Sequence, residues 1–122
     1  MTREVTLILD NVRLESMNPY WTGKVKWRDR ADFANFARLL VRDQIDPQTV
    51  EMFTKPVKIT FTVFHEYQPL DPSNIVVKPF EDGLIGWLIE DDSWLHVDEV
   101  SKRSRLDKES PRLEIHIKEI DS

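Results

Sequence analysis

Apolar and polar positions alternate along the first segment, where Val5, Leu7 and Leu9 share one face, and this period of two predicts an opening strand. A second, weaker strand is expected between Val12 and Trp27. From Arg30 to Asp43 the period changes. Phe33, Phe36, Ala37 and Leu40 fall at helical spacing and predict the main helix, with Asp29 as its N-cap. Asp46 and Pro47 open DPQTVEMF as a shorter helix, because proline loses no needed hydrogen bond in a first turn, and Lys55-Pro56 closes it. VKITFTVFHE reads as a strand with Ile59, Phe61 and Val63 on one side and Lys58, Thr60 and Thr62 on the other. Trp94 to Val100 is a further strand candidate. SKRSRLDKESP follows as a charged hairpin loop closed by Pro111, and Leu113, Ile115 and Ile117 mark the last strand. The expected architecture is α/β in the α+β sense: one small mixed sheet with two to three helices.

One stretch, LDPSNIVVKPFEDGLIGWLIEDDSWLHV from Leu70 to Val97, departs from this scaffold pattern. Asp71-Pro72-Ser73-Asn74 is turn chemistry, since proline fixes one backbone angle and Asp, Ser and Asn bond their own backbone. A helix is expected to start near Lys78, with Pro79 in its first turn and Glu81 and Asp82 suited to its positive end. Asp71, Asn74 and Lys78 then stand at a junction of strand, turn and helix, where backbone amides favour an anion such as phosphate. After the helix, Glu90, Asp91 and Asp92 form an acidic loop, and a chain folded back through the helix is expected to bring one of them beside Asp71. Two converging carboxylates suit a hard cation. Mg²⁺ keeps several waters and needs only one or two protein carboxylates beside a substrate phosphate.

The chain has 122 residues, 40% hydrophobic and 10% aromatic, enough for a single domain with a real core and too apolar for a disordered protein. It has no cysteine, which excludes disulfides, thiolate zinc sites and cysteine nucleophiles. The N-terminal MTREVTLILDNVR fits neither a signal peptide nor a membrane span, so no membrane association and a cytoplasmic location are expected. The net charge of −5 opposes nucleic-acid binding, yet cations are locally concentrated. Lys24, Lys26 and Arg28 alternate along one supposed strand face, and Lys102, Arg103, Arg105 and Lys108 cluster together. Both patches are candidate phosphate contacts, weighed against ordinary solvated charge.

Read together, the D-x-(D/S)-N turn, the following lysine, the D-(A/G)-L step and the later acidic pair make Val57 to Ile117 resemble the RusA-type Holliday junction resolvases. The resemblance implies one RusA-like domain over residues 1–122, a homodimer, and Mg²⁺-dependent cleavage of four-way DNA junctions, with Mn²⁺ as a substitute metal and a prophage origin. Carried across by motif, the functional positions are Asp71, Asn74, Lys78, Asp82 and Asp92, with Asp91 beside the last. Metal ligation falls to Asp71, the Ser73 position, Asp91 and Asp92, and cleavage also requires Lys78. Two departures stand out. Ser73 puts a neutral hydroxyl where the motif has its second aspartate, and Lys78 lies one residue further from Asn74 than in the compact motif. An inactive DNA- or protein-binding module of the same fold is therefore the alternative.

Each candidate also has an ordinary structural role. Asp71 and Asn74 suit any turn, Lys78 any solvated surface, and Asp82 any helix terminus. His65 continues the inner face of its strand and is expected at the core edge. His116 faces outward, and His96 lies near the acidic loop. Trp87 and Trp94 flank that loop, with core packing the expectation for both and base stacking the alternative.

Overall fold

A computed structural model describes residues 3–10, 12, 27–45 and 51–120, which form a small mixed α+β domain. Its strands are β1 (Glu4–Asp10), β2 (Val57–His65), β3 (Val97–Leu106) and β4 (Arg112–Glu119), in the sheet order β1-β4-β2-β3. β4 runs antiparallel to both β1 and β2, whereas β3 runs parallel to β2. A parallel neighbour requires a crossover. The chain spends it on a 3₁₀ turn (Pro72–Asn74), a short helix α2 (Lys78–Asp82) and the acidic loop, so the segment that broke the scaffold pattern is the crossover itself.

The helix side of the sheet is a continuous apolar layer. Ile59, Phe61 and Val63 of β2 lie beside Ile117, Ile115 and Leu113 of β4, all fully buried, with Leu7 and Leu9 of β1 extending the row. Phe80, Leu84, Leu88 and Ile89 from the crossover join the same cluster, as do Phe33, Ala37 and Val41 of the long helix α1 (Trp27–Asp43). The Phe33 and Phe80 rings meet edge to face at 6.2 Å. Burying a phenylalanine of this kind is worth about 1.5–3 kcal/mol in transfer alone. α1 and α2 approach so closely that Gly83 carries no side chain because there is no room for one: a Cβ there would lie 2.8 Å from Cβ of Val41.

Several expectations change. α1 begins at Trp27, so Asp29 lies inside it and is not its N-cap, and Arg28 is helical and not on a strand face. Lys24, Lys26, most of the predicted second strand, and Asp46 and Pro47 lie outside the described residues. Of the predicted DPQTVEMF helix, Glu51 to Phe53 run as irregular chain, with Phe53 N donating to the Leu88 carbonyl. Phe36 leaves the apolar stripe, 50% exposed, and the buried face of the helix is Phe33, Ala37 and Val41. β3 starts later and runs further than expected. The basic residues Lys102, Arg103 and Arg105 are strand residues, and only Asp107 to Pro111 remain as the connection to β4. β-pairing with the long central strand β2 overrides the polar composition that suggested a loop.

Candidate functional site

The turn is built as its sequence requires. Asn74 N donates to the Asp71 carbonyl at 2.8 Å and Ile75 N to that of Pro72 at 3.1 Å, while the Asp71 side chain makes no capping bond and stays exposed, as do Ser73 and Asn74. β3 clamps this turn at both ends. Ser104 Oγ donates to the Leu70 carbonyl just before it, and Lys102 Nζ donates to the Ile75 carbonyl just after it at 2.9 Å. Ser104 is itself 3.3 Å from Nε2 of the buried His65, which places that histidine at the core edge as its strand position predicts. Neither Ser104 nor Lys102 as a clamp was legible in the sequence. Only the parallel pairing of β2 with β3 puts them beside the turn.

α2 starts at Lys78 with Pro79 in its first turn, and Phe80 N and Glu81 N both donate to the Val77 carbonyl. With five residues the helix has little macrodipole to offer an anion, and Asp82 is its last residue, not a first-turn one. Asp82 instead pairs with Lys78 at 3.1 Å across one turn. Lys78 also binds Asp92 of the acidic loop, joining helix and loop directly. The hydrogen bond to Asp92, ahead of Asp82, raises the Lys78 ammonium well above its ordinary pKa, and Lys78 in turn lowers Asp92. Lys78 therefore stays charged and Asp92 ionised throughout the physiological range.

The loop is ordered by its own side chains. Asp91 Oδ1 accepts from Ser93 N at 2.8 Å, and the Ser93 carbonyl accepts from His96 N and Val97 N. Hydrogen bonds from Ser93 lower Asp91. His96 Nε2 lies 3.6 Å from Glu90 and 3.8 Å from Asp91, so its predicted place beside the acidic loop holds. Trp87 packs against the core as expected, but Trp94 does not: it is 81% exposed.

One further residue has a part that the sequence did not single out. Glu81 is buried, and its carboxyl is raised chiefly by that burial, with the nearby Lys78 charge opposing the shift. Together with Ser73, Lys78 and Lys102 it lines an open pocket of about 360 Å³ whose apolar wall includes Val77 and Val100. The pocket is thus flanked by the turn, by α2 and by β3.

The structure joins Lys78, Asp82 and Asp92, places Ser73 and Glu81 on the adjoining pocket, and holds Asp71 and Asn74 in the neighbouring turn. Among the described residues, no three His, Cys, Asp or Glu side chains are grouped to hold a metal ion. A site with one or two carboxylates would suit Mg²⁺ or Mn²⁺, hard cations that complete their shells with water and substrate oxygens, and would not suit a structural zinc centre.

No family model matches the chain, and no curated protein is similar to it at a significant level. Among the described residues, no helix is long and apolar enough to cross a membrane.

Proposed function

We propose that this chain is a RusA-like endodeoxyribonuclease that cuts branched, four-way DNA with Mg²⁺. The observation that carries the reading is the Lys78–Asp92 pair, which joins the motif's lysine to its late aspartate, with Lys78 lining one pocket together with Ser73 of the turn. Asp71 and Asp92 would hold the cation, with Asp91 as the neighbouring donor. The bound ion would polarise the scissile phosphate and lower the pKa of an attacking water. Lys78, kept protonated by its carboxylate partners, supplies a fixed positive charge against the negative charge that develops on the phosphate. Asn74, exposed in the same turn, offers an amide donor to a phosphate oxygen. Arg103 and Arg105, exposed on β3, are the cations for the flanking DNA backbone. Lys102 is committed to the Ile75 carbonyl and contributes through the turn that it holds.

A homodimer and a cytoplasmic site of action belong to the same proposal. Resolution needs two nicks related by the two-fold axis of the junction, which a symmetric pair of sites supplies.

A second reading has its own support. Ser73 offers no carboxylate, and Asp92 is already satisfied by Lys78, so the same surface suits a module that binds branched DNA without cutting it. Cleavage of a labelled four-way junction across Mg²⁺ and Mn²⁺ decides between them. The enzyme reading expects paired nicks that Asp71→Asn and Asp92→Asn each abolish, together with saturable Mn²⁺ binding by calorimetry that Asp71→Asn removes. Junction binding with neither nicks nor metal heat selects the module. Nicking that survives in both variants removes the assigned site.

A further inference from the structure

Both lysines on the pocket between the turn, α2 and β3 are already bound. Lys78 is held by Asp82 and Asp92, and Lys102 Nζ donates to the Ile75 carbonyl at 2.9 Å. Glu81 is different. It is only 8% exposed, and among the described residues its carboxyl takes part in no hydrogen bond and no salt bridge. Buried carboxyls are ordinarily paired, because taking a charge out of water without replacing its partners is unfavourable. The surroundings add to that cost: the Asp92 and Asp82 charges act on Glu81 in the same direction as burial, and Lys78 alone opposes them. A site of this kind selects a positively charged guest.

The groups on the pocket with bonding capacity to spare are the Glu81 carboxyl and the Ser73 hydroxyl. Both are oxygen donors, the ligand type of hard divalent cations, which keep several waters of their own. Space is sufficient. The pocket measures about 360 Å³, and six waters at about 30 Å³ each need roughly half of that.

We propose that Glu81 is a ligand of the divalent cation, supplying from α2 the carboxylate that the turn lacks at Ser73, on the pocket that both residues line. The inference rests on the nuclease reading for what the cation does and deepens it by naming a ligand from a different element. The pocket is bordered by the turn that carries Asp71 and by the lysine that holds Asp92, so an ion there adjoins the carboxylates assigned to it. Because positions 73 and 81 face one cavity, a carboxylate at either serves the same ion. That equivalence is what the experiment reads.

Mn²⁺ alone is titrated by calorimetry into the full chain and its variants. The wild type is expected to bind saturably, and Glu81→Gln to bind about tenfold or more weakly, since one charged ligand is lost. Adding Ser73→Asp to Glu81→Gln returns a carboxylate to the pocket and restores the affinity. Mn²⁺ should raise the melting midpoint of the wild type and not that of Glu81→Gln, although in EDTA the variant melts no lower than the wild type, which separates ligation from folding. Glu81→Gln binding Mn²⁺ as tightly as the wild type, or a wild-type chain with no saturable Mn²⁺ binding, overturns the proposal. Unchanged binding by Glu81→Gln beside lost binding by Asp71→Asn removes Glu81 and leaves the nuclease reading standing. Binding that depends on Glu81 in a chain that never nicks a junction keeps the ligand and removes the nuclease.

Discussion

At the scale of single residues, Lys78 and Glu81 show how position within one short helix sets opposite electrostatic fates. Lys78, half exposed, gains two carboxylate partners from different directions and is held charged. Glu81, three residues on, turns inward, and burial resists its ionisation. Its folded carboxyl keeps a proton to higher pH than the unfolded chain, where glutamate titrates near about 4.3. The stability linked to it is therefore fully present below that pH and lost as pH rises through the folded value. Glu81→Gln, which cannot ionise, is expected to melt higher than the wild type at pH 7 and no higher at pH 3.5. Equal melting shifts at both pH values would show that burial does not strain this carboxylate. The motif residues Asp71, Asn74, Lys78 and Asp92 were all legible as candidates from residue type and order. Glu81 was not, because a glutamate after a lysine and a proline reads as an ordinary first-turn acid until the pocket beside it is seen.

At the scale of elements, the crossover from β2 to β3 holds its shape by close packing rather than by length. α2 is too short to be stable alone. It stands because Phe80 and Leu84 enter the core and because Gly83 lets α1 approach. Gly83→Ala should destabilise the protein by about 1–3 kcal/mol, since the added methyl meets the Val41 side chain with no open direction to move into. Chemical denaturation measures this directly, and an unchanged midpoint would mean that α1 yields without cost. Strands β1, β2 and β4 were read correctly because each buries one face and its sequence alternates accordingly. β3 was misread over its second half. Its residues from Ser101 to Leu106 are partly or fully exposed, so no apolar alternation marks them, and only hydrogen bonding to β2 makes them a strand.

At the scale of the whole molecule, the overall charge balance opposes the proposed DNA binding. A chain at −5 binds duplex weakly unless a cation patch and a divalent ion offset the carboxylates. Arg103→Ala with Arg105→Ala is expected to lower junction affinity and to flatten the dependence of log affinity on log salt by about two units in magnitude at most, because two phosphate contacts disappear. An unchanged salt slope would remove these arginines from the DNA surface. The sequence by itself determined the class of fold, the strands that alternate, the turn at Asp71–Asn74 and the start of α2, because each depends on local periodicity or on the fixed backbone geometry of proline and turn residues. Tertiary structure alone decided that Lys78 meets Asp92, that β3 clamps the turn through Ser104 and Lys102, and that a charged stretch read as a loop is an open sheet edge. Those outcomes depend on which strands become neighbours, and pairing between segments distant in the chain leaves no periodic trace in either of them.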